Sequence, residues 1–346
     1  MRVALDATYS LGGGLSGVGV YSREILNGLA STDFAEQWDW FYRSQRYFRA
    51  LRLPRPPNVT RRFLGDSRFP LIAGDRSADI FHGLNQRLPK RRFRRQVATF
   101  HDLFVLTGDY STAEFRERFA MQAREAAAGA DLVIAVSAFT ASQIEEYLKV
   151  PGSRVRVVHH GVIRRRIPER PREKIVLCVG AIQRRKNQAM LIRAFRALPE
   201  DWTLVLAGSQ GYEAAEAAGE VANSPAKGRI RITGYLTDEE IGDWYARAGI
   251  FAFPSMDEGF GMPVLEAMAA GIPVIAGNRS ALPEVCGGAA ELIDPANEEE
   301  LASALVRLTA DETRRAELVE LGFRRASEFR WEDAVRATLA VYRELV

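Results

Sequence analysis

Two glutamates and a short run of cations are the residues of this sequence best placed to do chemistry. Glu258 and Glu266 stand eight positions apart within residues 254–271, PSMDEGFGMPVLEAMAAG. This stretch follows an apolar run at 249–253, GIFAF, of the kind that forms a strand buried on both faces. Pro263 is expected at the first position of a helix, where its fixed φ fits and its missing N–H leaves no acceptor wanting. Gly271 is expected just past the end of that helix, in the left-handed conformation that closes it. The turn through Gly259, Phe260 and Gly261 then lies at a helix N-terminus, where main-chain N–H groups and the positive end of the dipole receive an anion. A carboxylate beside such a cradle is unfavourable unless it meets an uncharged part of the same ligand, and sugar hydroxyls are such a part. The plainer alternative is a strand, turn and helix carrying two solvated glutamates.

A second constellation lies upstream. The loop at 183–187, QRRKN, places Arg184, Arg185 and Lys186 at the start of a helix expected over about 188–198. Cations there oppose the helix dipole, which favours acids in the first turn, so they are expected to answer a ligand's charge. A departing diphosphate needs such neutralisation where no metal supplies it. The sequence has no Asp-x-Asp, no histidine pair at helical spacing and no cysteine cluster. His82, His101, His159 and His160 make no metal site, and neither metal nor cofactor is expected. His101 closes an apolar strand, QVATF, a place where a lone histidine is otherwise a hydrogen-bonded loop residue. A glycine-rich loop containing Gly13, Gly14, Gly17 and Gly19 follows the first strand and lets a ligand approach the backbone, although its spacing misses the dinucleotide pattern.

The pattern E-G-F-G-x-P-x-x-E at 258–266 resembles the E-x7-E signature of the large retaining family-4 glycosyltransferases, the group-1 type. The flanking Pro254 and Ser255 and the Ala-Gly-x-Pro-Val of 270–274 match as well, and the resemblance extends over nearly the whole chain. It implies an α/β protein of two Rossmann-like doubly wound domains facing across a cleft, the GT-B arrangement. It implies that Arg185, Lys186 and the Phe260, Gly261 and Met262 amides hold a donor diphosphate, and that Glu266 accepts from a ribose diol. By the same resemblance Glu258 meets hydroxyls of the transferred sugar, and His101 orients or polarises that sugar. The chain departs from the family at Ala181, where many members carry Arg after the strand-ending Gly180, so Arg184 or Arg185 substitutes. It departs again at His160, which precedes Gly161 where the family has an Asn-Gly turn. Asp102 is given no role.

The implied reaction is retaining, metal-independent transfer of a hexose from a nucleotide-sugar to a glycan or lipid-linked acceptor in polysaccharide synthesis. Look-alikes with a G-x-x-x-x-R-K-N loop suggest mannose from GDP-mannose, with a UDP-hexose as the alternative. A sugar phosphorylase, a sugar-nucleotide epimerase and a two-domain sugar-binding protein are the rival readings. Paired carboxylates also serve glycoside hydrolases, but that reading leaves Arg185, Lys186 and the anion-receiving turn without work.

Alternating strands and helices must position these residues. In the first half, strands are expected at 2–5, 38–42, 78–82, 96–100, 132–136 and 155–158. Helices are expected over about 20–29 and 112–128, and from an N-cap at Ser137 to near Leu148. In the second half, strands are expected at 175–179, 203–207, 230–233 and 274–276. Thr237 to Glu240 reads as a capping box, and further helices follow near 297–309 and 312–328. Each half is thus a doubly wound parallel sheet, with ligands beyond the carboxyl ends of its strands. The expected domains are 1–165 on the acceptor side and 166–330 on the nucleotide-sugar side. An amphipathic helix at 331–346, with Trp331, Val335, Leu339 and Tyr342 on one side, is expected to cross back to the first domain.

A chain of 346 residues, 47% apolar and 26% charged, has the size and composition of two globular domains. No apolar stretch reaches about eighteen residues, and Asp6 interrupts what would be a signal peptide's apolar region, so work in the cytoplasm is expected. Cys178 and Cys286 read as buried free thiols. The net charge of +3 is unevenly spread: residues 43–62 carry arginines and no acid, and 90–95 (KRRFRR) form a second cluster. Either these are solvated surfaces, or they meet an anionic membrane peripherally; a nucleic-acid partner is not expected.

Overall fold

The computed structural model describes residues 1–12, 14–31, 36–65, 77–90, 92–163, 165 and 170–346. They divide into two compact units. The first comprises Met1–Thr107, Ala113–Gly161 and Arg330–Val346, and the second Gly108–Thr112 and Val162–Phe329.

Each unit is built on one parallel sheet. In the first unit the strands are β1 (Arg2–Asp6), β2 (Gln37–Tyr42), β3 (Val59–Phe63), β4 (Ile80–Gly83), β5 (Arg95–Phe100), β6 (Leu132–Ala135) and β7 (Val155–Val157), in the order β3-β2-β1-β4-β5-β6-β7. The second unit has β8 (Ile175–Val179), β9 (Thr203–Ala207), β10 (Ile230–Gly234), β11 (Ile250–Phe253), β12 (Val274–Gly277) and β13 (Glu291–Ile293), in the order β10-β9-β8-β11-β12-β13. Both orders reverse direction after the first strand, which is the Rossmann-like winding. The crevices where ligands bind therefore open between β1 and β4 and between β8 and β11. The central strands are continuous apolar runs because helices cover both faces; β8 (IVLCV) and β11 (IFAF) are buried throughout.

Local chemistry explains the boundaries. Ser137 accepts the Thr140 N–H at 3.0 Å, and Thr237 and Glu240 form the reciprocal capping box. The helix Met262–Ala269 closes in a Schellman motif: the Gly271 N–H reaches the Met268 carbonyl and the Ile272 N–H the Ala267 carbonyl, both at 3.0 Å, with Gly271 at φ 70°. Arg172 donates to the Ala246 carbonyl at 3.0 Å and the Gly271 carbonyl at 3.3 Å, joining the carbonyl ends of two helices.

Three expectations need correction. Pro263 is the second residue of its helix, since Met262 opens it. The first-unit helix runs over Gly17–Ser31, so Gly17 and Gly19 belong to its first turn rather than to the loop, and Gly19 packs against the Tyr9 carbonyl and Leu15. The helix expected to reach 198 ends at Ala194 and continues as a 3-10 turn over Phe195–Ala197. β3 went unread because it is an edge strand bearing Arg61 and Arg62, which breaks the apolar alternation.

The terminal helix Trp331–Arg343 packs within the first unit. Val335, Leu339 and Tyr342 enter the core of Leu5, Tyr21, Ile25 and Leu29. A buried chain of hydrogen bonds reinforces it. The Tyr342 hydroxyl lies 2.6 Å from His82 Nδ1, His82 Nε2 lies 2.7 Å from the Thr99 hydroxyl, and that hydroxyl lies 3.0 Å from Tyr21 Oη. Burial pushes the His82 pKa down to about 3, so the chain is neutral.

Removing the Tyr342 hydroxyl leaves a buried imidazole nitrogen without its partner, so Tyr342→Phe is expected to lower stability by about 1–3 kcal/mol in denaturant titration. Stability should also fall in mild acid. An unfolded His82 takes up its proton near the ordinary pKa of 6.5, whereas the folded one does so only at about 3. Between those values the unfolded chain holds more protons, so each pH unit lost costs up to about 1.4 kcal/mol for this residue. An unfolding midpoint unchanged from pH 7 to pH 5 would contradict this.

Candidate functional site

The second unit's site is assembled from loops that leave β8 and β11, which lie side by side with Ile250 opposite Val176 and Phe251 opposite Leu177. After β8 the chain turns at Gly180 (φ 141°), forms the 3-10 turn Arg184–Lys186 and reverses at Asn187 (φ 58°). Asn187 anchors that turn to neighbouring loops, its Nδ2 donating to the Pro254 carbonyl at 3.2 Å and the Pro295 carbonyl at 2.8 Å. The Met256 N–H donates to the Arg185 carbonyl at 2.8 Å. The two loops are thereby one object.

At its centre is Glu258. Lys186 Nζ donates to its Oε1 at 2.5 Å, Arg185 Nη1 sits 3.2 Å from its Oε2, and the Ser255 hydroxyl donates to Oε1 at 2.6 Å. Arg185 also donates to the Asp257 carbonyl, and the Lys186 ammonium lies 4.6 Å from the Phe253 ring centroid. All three charged side chains are about nine-tenths buried. Burial raises the Glu258 pKa, but the charges of Arg185 and Lys186 and the bonds from Lys186 and Ser255 outweigh it and hold it at about 2. Burial lowers the pKa of Lys186, and the Glu258 carboxylate opposes that shift. Glu258 is therefore an anion seated between two cations. Arg184 is exposed and lies 3.4 Å from Glu213, so of the two arginines it is Arg185 that joins the cluster.

The Glu258 N–H donates to the Ser280 hydroxyl at 3.0 Å, and Ser280 itself holds φ 58°. Beyond it the chain passes Phe260, which is buried against Phe329 with ring centroids 5.7 Å apart. Gly261 caps the following helix at φ 103°. Because Pro263 has no N–H and the Val264 N–H turns back to the Gly261 carbonyl at 3.0 Å, Met262 presents the first helical N–H without an intrahelical acceptor. One turn on, Glu266 accepts from the Tyr245 hydroxyl at 3.0 Å, with Arg165 Nη2 at 3.8 Å. Burial raises its pKa, opposed by Arg165 and Tyr245.

In the first unit, His101 follows β5. Its Nε2 lies 2.9 Å from the Leu84 carbonyl, which only accepts, so Nε2 carries the hydrogen and Nδ1 is the acceptor nitrogen. Burial lowers its pKa to about 4, partly offset by that carbonyl. Tyr21 stands edge-on to it at 4.7 Å, and His160, stacked on Trp331, lies 5.5 Å away. Gly161 follows because a Cβ there would strike the Trp331 backbone. Of the glycine-rich loop, Gly14 precedes the helix Gly17–Ser31, Gly17 and Gly19 lie within its first turn, and Gly13 is outside the described residues.

Arg185, Lys186, Glu258, Gly261, Met262 and Glu266 thus occupy one pair of adjacent strand ends. Sequence reasoning missed Ser255, Ser280, Tyr245 and Arg165. Ser255 was visible as part of the flanking Pro-Ser; the others touch the glutamates only through tertiary folding. Among the described residues no group of three His, Cys, Asp or Glu is arranged to hold a metal ion. Cys178 and Cys286 are buried free thiols whose pKa burial pushes up to about 12.

Two family models and several known proteins match the chain. Residues 15–166 match the model of Glycosyltransferase Family 4, and residues 161–325 that of Glycosyl transferases group 1. The chain is 29% identical over 369 residues to the O-antigen chain mannosyltransferase B of Escherichia coli, covering 96% of this chain and 97% of that one. It is 32% identical over 242 residues to the lipopolysaccharide core biosynthesis mannosyltransferase LpsB of Rhizobium meliloti strain 1021, covering 62% of this chain and 66% of that one. Among solved structures, sucrose-phosphate synthase from Thermosynechococcus elongatus aligns with a TM-score of 0.81 at 22% identity, over 100% of this chain and 99% of that one. HepE from Anabaena, in complex with UDP and glucose, aligns with a TM-score of 0.75 at 17% identity, over 99% and 98%. These structural likenesses show the fold, two Rossmann-like domains of the GT-B class. The two family models together span residues 15–325, and the chain belongs to the family-4, group-1 glycosyltransferases.

Proposed function

We propose that this glycosyltransferase moves a mannosyl group from GDP-mannose to a hydroxyl of a glycan or lipid-linked acceptor, with retention at the anomeric carbon and without a metal. The observation that carries the reading is the convergence of Arg185 and Lys186 on one carboxylate beside a helix N-terminus, at the switch point of the second sheet. Relatives named as mannosyltransferases support the sugar. The alternative, a UDP-hexose donor, is favoured by the likeness to HepE, whose structure contains UDP and glucose.

In this reading the second unit binds the donor and the first the acceptor. Arg185, Lys186 and the Phe260, Gly261 and Met262 amides take the diphosphate, while Glu266 accepts from the ribose diol. As the bond from the anomeric carbon to the diphosphate oxygen breaks, the leaving group gains one negative charge where two desolvated cations already stand. The acceptor oxygen attacks from the face the diphosphate leaves, and its proton passes to the departing phosphate oxygen. Glu258 meets hydroxyls of the transferred sugar, and the first unit's His101 offers Nδ1 as a hydrogen-bond acceptor. With its pKa held at about 2, Glu258 is too weak a base to take the proton.

Melting in chelator with GDP, UDP or ADP tests the base and the metal together. GDP at about a hundred times its dissociation constant adds roughly 2.7 kcal/mol and raises the melting temperature. A rise with UDP alone would reassign the base, and no rise with any would remove the site. Turnover of GDP-mannose to an α-linked product, undiminished by chelator, is expected; a β-linked product would refute retention.

Glu258→Gln leaves Arg185 and Lys186 buried without their counter-charge. It should destabilise the nucleotide-free protein by about 3–5 kcal/mol, and GDP should recover more stability in the variant than in wild type. Equal GDP shifts in both would mean that Glu258 does not hold the cations. Glu266→Ala should chiefly raise KM, whereas His101→Ala should chiefly lower kcat.

A further inference from the structure

Eleven large hydrophobic side chains are exposed among the described residues, and three of them fall within six positions: Phe48 (66% exposed), Leu51 (54%) and Leu53 (46%). They sit on the helix Ser44–Ala50 and the turn that extends it, where the Leu53 N–H reaches the Ala50 carbonyl at 3.1 Å. The inner side of this element is already occupied: Ala50 is buried in the core, and Tyr47 packs on it with its ring 5.7 Å from that of Phe63. Phe48 and Leu51 face outward because the inner face is taken.

The arginines of the same stretch are not equivalent. Arg43 pairs with Asp6 at 3.3 Å and Arg62 with Asp39 at 2.9 Å. Arg46 donates to the Leu11 carbonyl, Arg55 to the Val59 carbonyl and Arg61 to the Leu53 carbonyl. In the second cluster Arg92 and Arg95 lie on Asp131 and Arg94 on Asp79. Arg49 and Arg52 remain. Both are exposed, neither side chain has an ion pair or hydrogen bond among the described residues, and they alternate with Phe48, Leu51 and Leu53. Residues 43–62 contain no acid to repel an anionic surface.

We propose that this element docks the protein on an anionic lipid bilayer, with Phe48, Leu51 and Leu53 entering the headgroup layer while Arg49 and Arg52 meet lipid phosphates. Apolar insertion flanked by arginine is the chemistry of interfacial binding. Single-stranded nucleic acid is served instead by stacked aromatic rings, and two of these three side chains are leucines. The inference does not depend on which donor the second unit takes.

Flotation of the full chain with vesicles tests it. Wild type should float with phosphatidylcholine vesicles containing about one-third phosphatidylglycerol, and stay behind with pure phosphatidylcholine. Arg49→Glu with Arg52→Glu should cut the bound fraction about tenfold or more. Phe48→Ser with Leu51→Ser should spare low-salt binding and abolish what survives in high salt, where surface charge is screened. All these side chains are exposed, so the variants should melt like wild type. Wild type that fails to float, the arginine double variant floating like wild type at low salt, or the serine double variant floating like wild type in high salt would overturn the proposal. So would an oligonucleotide that binds through the arginines, indifferent to Phe48 and Leu51, and strips the protein from vesicles. Concentration-dependent dimerisation lost in Phe48→Ser with Leu51→Ser, without vesicle binding, would overturn it equally.

Discussion

The burial of one carboxylate between two cations is the constraint on which the second unit is built. Taking Glu258, Lys186 and Arg185 out of water is costly for each, and short contacts with one another and with Ser255, the Asp257 carbonyl and the Phe253 ring offset it. The sheet order makes those contacts available, because β8 and β11 are neighbours and their carboxyl ends deliver both loops to one place. The trio carries a net positive charge. Its cations are held in position by Glu258, so under the proposed reaction a diphosphate would meet groups already desolvated and aimed. Ion pairing here fixes geometry more than it adds stability.

The backbone around this cluster is bent to fit it. Among the described residues four that are not glycine adopt positive φ, and two of them, Asn187 and Ser280, border Glu258. Gly180 and Gly261 supply two further left-handed turns in the same loops. A side chain in that conformation costs about 1–2 kcal/mol, which something specific must offset. At Asn187 the offset is its pair of bonds to the Pro254 and Pro295 carbonyls; at Ser280 it is the hydroxyl that accepts the Glu258 N–H.

How much of this was legible follows from how local each feature is. The strand, turn and helix around Glu258 are contiguous, so GIFAF, the glycines and Pro263 announce them, and only the helix start slipped by one residue. Arg185 and Lys186 stood out because cations at a helix start oppose the dipole and need a counter-charge, which Glu258 supplies. Ser280 was invisible because it meets Glu258 across 22 residues, and Tyr245 meets Glu266 across 21. The His82–Tyr342 bond spans 260 residues, and no period or motif encodes such a distance. β3 was hidden by its own arginines, since an edge strand has one side free to carry charge.

Both units bury formal charge, the first in the Arg43–Asp6 pair and the second in the Glu258 cluster, but the surroundings of His101 are neutral. Tyr21, Thr99, His82 and Tyr342 satisfy one another, and His101 gives its hydrogen to Leu84. With its pKa lowered to about 4, His101 is uncharged at neutral pH and offers only the lone pair of Nδ1. It therefore carries no positive charge and can act only as a hydrogen-bond acceptor. Under the proposed reaction the neutralisation falls to Arg185 and Lys186. A cation at that position would have to be buried against the Tyr21 and His160 rings.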